Sequence, residues 1–350
     1  MKIVFVLPDM VGGGTERVVA LLANEYVKKG YETDILLFAG KHIAYLLDER
    51  VKVHIVGEVS GGNPILRLQR VINMRRFYKK NKDCCIFAFS VMGAVFSVVA
   101  SLGIPCRMLV SERNDPTRYE HQKIRNWAYK KAEKIVLQTE DMRTCFPDKL
   151  SGKMVVIPNP VPDDIPEPYM GIRQKRVVSV ARLQPQKNQK LLLDAFSQFI
   201  KKYPEYELYL FGVGILEKEL KEQAKKLSIA DKVIFKGFSS EVREKIRDSA
   251  MFVLSSDYEG ISNSMIEALA MGIPVISTDC PIGGSRMYIQ DHINGLLTPV
   301  GDADALCKAM CDVAGNEELA KKLSQNGAKI RETYHLGKIA DRFLKEAGIG

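Results

Sequence analysis

Two carboxylates with seven residues between them, Glu259 and Glu267, stand in the stretch SSDYEGISNSMIEALAMGIPVISTD. The strand-like MFVLSS runs into a loop carrying Glu259 and Gly260, and the helix-like SMIEALAM follows, closed by Gly272 and Pro274. Loops at the carboxyl ends of strands are where α/β sheets meet their ligands. Ser264 and Glu267 have capping-box spacing, which gives Glu267 a structural reading as the cap of its own helix. Glu259 has no such role and is expected to face a ligand or water. The amides around Ser262 to Ser264, at a helix N-terminus, suit a phosphate.

A second cluster lies in SVARLQPQKNQKLLLDAF, where Arg182 and Lys187 follow a strand and precede a helix. Two cations so placed suit the grip of a diphosphate. A third is Gly12, Gly13 and Gly14 between the first strand and the helix opening at Thr15, where side-chain-free backbone can approach an anion. Neither this loop nor Gly212 to Gly214 completes the dinucleotide fingerprint, because Arg17 and Glu217 occupy the place of its last glycine.

The elements that must position these residues alternate along the chain. KIVFVLP, YETDILLF, VKVHIV, the strand from Cys84, RMLVSE and KIVLQTE read as strands, with helix-like segments such as Thr15 to Lys29 among them. Pro158, Pro160, Pro162, Pro166 and Pro168 then exclude a helix or central strand, so residues 158–170 read as a linker. Alternation restarts at RVVSVARL and continues through PVISTD. The expectation is two Rossmann-like, doubly wound α/β domains, 1–160 and 161–335, facing across a cleft.

The 350 residues carry 51 Lys and Arg against 42 Asp and Glu, a net charge of +9. Residues 1–160 hold 25 basic and 16 acidic side chains and residues 161–350 hold 26 of each, so the excess lies in the first half. That asymmetry points to an anionic partner there or to a solvated surface. Seven Cys without metal-ligand spacing read as reduced, buried thiols, and no metal site is expected. Residues 84–106 lack charge and are long enough to span a bilayer, but they break into a strand, a turn and a short helix ended by Gly103 and Pro105. The N-terminus has no export signature, so a cytoplasmic location is expected.

The Gly12–Gly14 loop followed by TER, the ARLxxxKN segment at 181–188, and Glu259 with Glu267 together resemble family 4 of the retaining glycosyltransferases, over nearly the whole chain. The resemblance implies the GT-B fold, with a C-terminal helix at about 335–350 packing back on the first domain, and metal-independent, cofactor-free transfer of a sugar from a nucleotide diphosphate donor. It implies that Arg182 and Lys187 bind the diphosphate and stabilise it as leaving group, and that Glu259 holds hydroxyls of the donor sugar. Amides of Ile261, Ser262, Asn263 and Ser264 would touch phosphate, Glu267 would bond the ribose, and Gly13 and Gly14 would close over the diphosphate. Relatives often carry a His near the end of RMLVSE; here Arg113 stands there, with Glu112 and Asn114 as further acceptor or sugar contacts. SERNDP and TDCPIGGSR, the latter with Gly283, Gly284 and Arg286, resemble bacterial members that use UDP-hexoses or UDP-N-acetylhexosamines on polysaccharide or polyprenyl-diphosphate-linked glycans.

The basic segment ILRLQRVINMRRFYKKNK reads either as a helix meeting anionic lipid, which makes the protein peripheral at the inner face of the cell membrane, or as a helix packed on the sheet with its cations in water. The alternatives to a transferase are a non-catalytic sugar-nucleotide-binding protein, or an epimerase or phosphorylase of the same fold. A nucleic-acid partner is not expected, since basic and aromatic residues do not cluster as in RNA-binding motifs.

Overall fold

The computed structural model describes residues 1–57 and 63–349, and the chain divides into two compact units, Met1–Pro160 with Leu336–Gly350, and Val161–His335. The first contains β1 (Lys2–Leu7), α1 (Gly14–Lys28), β2 (Glu32–Leu37), β3 (Lys52–Ile55), α2 (Pro64–Lys80), β4 (Cys85–Ala88), α3 (Val91–Ala100), β5 (Arg107–Ser111), α4 (Gln122–Lys131), β6 (Lys134–Leu137) and β7 (Met154–Val156). Its strands run parallel in the order β3-β2-β1-β4-β5-β6-β7. β1 is covered on both faces from Ile3 to Leu7, which is why IVFVL is continuously apolar rather than alternating. Phe5 packs against Tyr26 of α1 and Phe87 of β4, with ring centroids 6.0 and 5.5 Å away. The chain's last helix, Leu336–Glu346, completes this core: Phe343 lies 6.0 Å from Phe87, and the Tyr26 hydroxyl donates to the Ala340 carbonyl at 3.2 Å.

The uncharged stretch folds as β4 and the ten-residue α3, whose first turn is capped by Ser90 accepting from the Gly93 amide at 3.0 Å. Among the described residues no helix is long and apolar enough to cross a membrane. α2 departs from ordinary amphipathic packing. Its inner face is Arg70, Met74 and Tyr78, with the Tyr78 hydroxyl 3.0 Å from Ser97 Oγ on α3. Ile65, Leu68 and Ile72, the stripe that a packed helix would turn inward, are exposed.

The second unit contains β8 (Gln174–Val180), α5 (Gln189–Phe199), β9 (Glu207–Phe211), α6 (Glu217–Lys226), β10 (Val233–Gly237), α7 (Val242–Ile246), β11 (Ser249–Leu254), α8 (Asn263–Ala270), β12 (Val275–Thr278) and β13 (Leu296–Thr298). Its parallel sheet has the order β10-β9-β8-β11-β12-β13. Leu192, Phe196 and Phe199 of α5 fill one face with Met310, while Met265, Ile266 and Leu269 of α8 fill the other with Phe252. In each sheet the strand order reverses at one place, β1 beside β4 and β8 beside β11, and such a switch point leaves a crevice at the strand ends.

Glycines set how closely the loops of the second unit approach. A Cβ on Gly214 would overlap the Leu183 carbonyl, and one on Gly212, which has φ +132°, would overlap the Ala181 carbonyl. The turn after β9 thereby lies flat against the loop carrying Arg182. Gly214→Ala is expected to cost about 1–3 kcal/mol through overpacking, lowering Tm by roughly 2–4 °C per kcal/mol. Thermal unfolding beside Gly152→Ala, where a Cβ meets nothing within 4 Å, checks this; equal Tm values contradict it.

Candidate active site

The loops that follow β8 and β11 emerge side by side at the switch point of the second sheet. Each is fastened to the other. Asn188 Nδ2 donates to Asp257 Oδ1 at 2.6 Å, the Asp257 amide donates to the Gln186 carbonyl at 3.0 Å, and Gln186 Nε2 donates to the Tyr258 carbonyl at 3.0 Å. Ser255 Oγ adds a bond to the Lys187 carbonyl at 3.0 Å. Within this seam the Lys187 ammonium donates to Glu259 Oε2, which also accepts from Ser256 Oγ at 3.2 Å. Both charged side chains are mostly buried.

Asn188 explains the local geometry. It sits in the left-handed region at φ 40°, ψ 50°, which asparagine tolerates better than most residues. It is also the N-cap of α5, its Oδ1 accepting from the Leu191 amide at 3.2 Å. Arg182, six residues earlier, has its carbonyl held by Gln189 Nε2 at 3.0 Å while its guanidinium is exposed and has no hydrogen bond or ion pair among the described residues. One cation is therefore paired and one is open to solvent.

α8 begins differently from the capping-box expectation. Ser262 is its N-cap, without a side-chain capping bond, and Ser264 Oγ donates to the Val180 carbonyl at 2.8 Å. Ser264 thus fastens α8 to the end of β8. Glu267 is buried and accepts from Arg243 Nη2 at 3.2 Å; Arg243 also pairs with Asp164 at 2.9 Å. Ile261 and Ser262 are buried, Asn263 and Ser264 half-buried, and together they carry the first amides of α8. The loop after β12 closes in from the side, since a Cβ on Gly284 would overlap the Gly260 carbonyl. Beside it the Arg286 guanidinium pairs with Asp279 at 2.8 Å. Arg182, Lys187, Glu259, residues 261–264 and Glu267 are thus gathered on one end of one sheet.

The remaining candidates belong to the first unit. The glycine loop follows β1; Gly12 has φ +119°, Gly13 precedes α1, Gly14 begins it, and the Tyr45 hydroxyl donates to the Gly13 carbonyl at 2.7 Å. At the end of β5, Glu112 and Arg113 are buried and Asn114 is exposed. Glu112 accepts from the Tyr129 hydroxyl at 3.0 Å and the Arg113 amide at 3.2 Å. The Arg113 guanidinium lies over the Phe89 ring, 5.2 Å from its centroid, and donates to Asn159 Oδ1.

Profiles of two families cover most of the chain: "Glycosyltransferase Family 4" over residues 12–165 and "Glycosyl transferases group 1" over residues 171–330. The chain belongs to the family 4 glycosyltransferases. It is 26% identical over 99% of its length, and 98% of the relative's, to an α-1,4-N-acetyl-D-galactosaminyltransferase of Campylobacter jejuni that is named for a diNAcBac-PP-undecaprenol-linked substrate. It is 24% identical to an uncharacterised glycosyltransferase of Haemophilus influenzae over 97% of both chains. Among solved structures, Anabaena HepE in complex with UDP and glucose matches with a TM-score of 0.85 at 19% identity, over 99% of each chain, which places the glycosyltransferase in the GT-B fold.

Several residues that shape this glycosyltransferase were not singled out in the sequence. Asn188 and Asp257 fasten the two loops, Arg243 reaches Glu267 from α7, and Gln138 meets Asn159 Oδ1 at 2.9 Å beside Arg113. Only the ARLxxxKN segment offered a signal, by including Asn188. Burial is the main cause that raises Glu112 above the ordinary carboxylate range, against the opposing Tyr129 hydrogen bond and the Arg125 charge. As pH rises, the unfolded chain therefore ionises at this position first, and stability falls between the ordinary carboxylate pKa and the raised folded value. Glu112→Gln is expected to remove that loss. Its Tm relative to wild type should move upward from pH 4 to pH 8, and a difference that stays flat contradicts the assignment.

Proposed function

We propose that the protein transfers a hexose or N-acetylhexosamine from a UDP-sugar to a lipid-linked or polysaccharide glycan acceptor, with retention at the anomeric carbon and without a metal ion or other cofactor. The reading rests on one observation above the others: Lys187 paired with Glu259 on two fastened loops at a sheet's switch point, with Arg182 open beside them. Arg182 and Lys187 take the diphosphate, and the first amides of α8 add partial positive charge. Glu259, released from Lys187 by the incoming phosphate, turns to hydroxyls of the donor sugar. Glu267, oriented by Arg243, takes the ribose hydroxyls. The end of β10 lies against that of β9, where the Gly212 amide donates to the Gly237 carbonyl at 2.8 Å, and the exposed side chains of Val213 and Phe238 there offer an apolar surface for a base.

In the transfer step the bond from the anomeric carbon to the β-phosphate oxygen breaks and a bond to the acceptor hydroxyl oxygen forms on the same face. The acceptor proton passes to the departing phosphate, and negative charge grows on the nucleoside diphosphate where Arg182 and Lys187 stand. The acceptor side is assigned to residues 112–114. Support for a lipid-linked acceptor comes from the undecaprenol-linked substrate in the name of the Campylobacter relative, and for UDP from the HepE complex.

Lys187→Ala and Glu259→Ala are expected to lower turnover of the UDP-sugar by on the order of 100-fold or more, as loss of a preorganised charged contact does. Turnover over a panel of UDP-sugars measures this, and NMR of the product reads its anomeric configuration. Wild-type rates in both variants, or an inverted product, contradict the reading.

A further inference from the structure

α2, α3 and α4 cover one face of the first unit's sheet. Each links strands advancing in the same direction, β3 to β4, β4 to β5 and β5 to β6, whereas α1 links β1 back to β2 and lies on the other face. The three helices pack in sequence, and Arg75 Nη1 of α2 donates to the Ala100 and Leu102 carbonyls at the end of α3 at 3.0 and 2.7 Å. Together they contain ten Lys or Arg and no Asp or Glu. The opposite face has no such bias: α1 carries Glu16 and Glu25, and the last helix carries Asp341 and Glu346.

This layer is also apolar on its outside. Because Arg70, Met74 and Tyr78 take the inner face of α2, Ile65, Leu68 and Ile72 form an outer stripe, exposed by 73, 61 and 41%. The stripe continues toward the helix C-terminus as Arg76, Lys79 and Lys80, all exposed. α4 repeats the combination, with Ile124 and Trp127 exposed beside Lys123, Lys130 and Lys131. Asp83, Glu120 and Glu133 are exposed only in the flanking loops.

A partner for this surface must bring negative charge and apolar depth together. A second copy of the same face would set cation against cation, and a nucleic-acid backbone would leave the isoleucines and leucine in water. We propose that the α2–α4 face docks on an anionic phospholipid bilayer, the first turns of α2 entering the interface while the exposed cations of α2 and α4 meet headgroups. Trp127 suits the headgroup level, where an indole is half apolar and half polar. The proposal stands independently of the sugar-transfer reading, because it is tested by binding alone.

Trp127 is the chain's single tryptophan, so the unaltered protein reports on its own docking. Vesicles of phosphatidylcholine with phosphatidylglycerol should shift its emission to the blue and sediment the protein, with both effects reversed by high salt. Vesicles of phosphatidylcholine alone should bind it much more weakly. Arg76→Gln, Lys79→Gln and Lys80→Gln combined should weaken partition to anionic vesicles by roughly 100-fold, from about fivefold for each cation lost. Ile65→Ser, Leu68→Ser and Ile72→Ser combined should weaken it at least tenfold; all six side chains are exposed, so thermal unfolding should be unchanged. The proposal is overturned by an unshifted Trp127 emission with no salt-sensitive sedimentation. It is overturned equally by binding that both variants retain, or by capture of heparin or RNA without capture of vesicles.

Discussion

The chemistry proposed for the second unit depends on two loops held in register with each other. Four hydrogen bonds fasten residues 186–188 to residues 255–258, and only within that frame do the Lys187 ammonium and the Glu259 carboxylate meet. A mostly buried ion pair is weak evidence for stability, since desolvation offsets most of its attraction. Its value here is positional: a cation and a carboxylate are kept at a strand-end crevice with little water to screen them. Charge placed in advance needs no reorganisation when a leaving group becomes negative, and such preorganisation accounts for most of the rate enhancement in many enzymes.

Close backbone approach makes that frame possible. Gly212 and Gly214 bring the turn after β9 onto the Arg182 loop, and Gly284 brings the loop after β12 onto Gly260. Ser264 fastens α8 to β8 through the Val180 carbonyl, and the Ser256 carbonyl is held from the β12 side by Thr278 Oγ1 at 2.6 Å and the Cys280 thiol at 3.0 Å. Burial pushes the Cys280 thiol up to about 11, so it remains a protonated donor at neutral pH. The first unit uses aromatic packing instead, with Phe343 of the last helix placed against Phe87.

Much of this was legible in the sequence because it is local. Continuous apolar runs marked the strands, proline density marked the change from one alternating run to the next, and Arg182, Lys187, Glu259 and Glu267, picked out by type and spacing, are residues that the fold gathers at one end of one sheet. What was not legible is set by partners distant in sequence. The Ser264 and Glu267 spacing permits a capping box, but the Val180 carbonyl and Arg243 compete for those side chains and win. α2 has apolar residues at helical spacing, yet contact with α3 selects Met74 and Tyr78 for its inner face and leaves Ile65, Leu68 and Ile72 outside. Nothing near Glu112 in the sequence shows that Tyr129 will bury it.

In the proposed transfer, Glu259 restrains Lys187 until a diphosphate arrives and then serves the sugar. Calorimetric binding of UDP and of the UDP-sugar that gives turnover, to wild type, Lys187→Met and Glu259→Gln, tests it most directly. Lys187→Met is expected to weaken both ligands by about 10-fold or more, the scale of a lost charged hydrogen bond. Glu259→Gln is expected to weaken the UDP-sugar while UDP binds as tightly as before or tighter. Equal loss of both ligands in Glu259→Gln, or unchanged UDP binding in Lys187→Met, would contradict it.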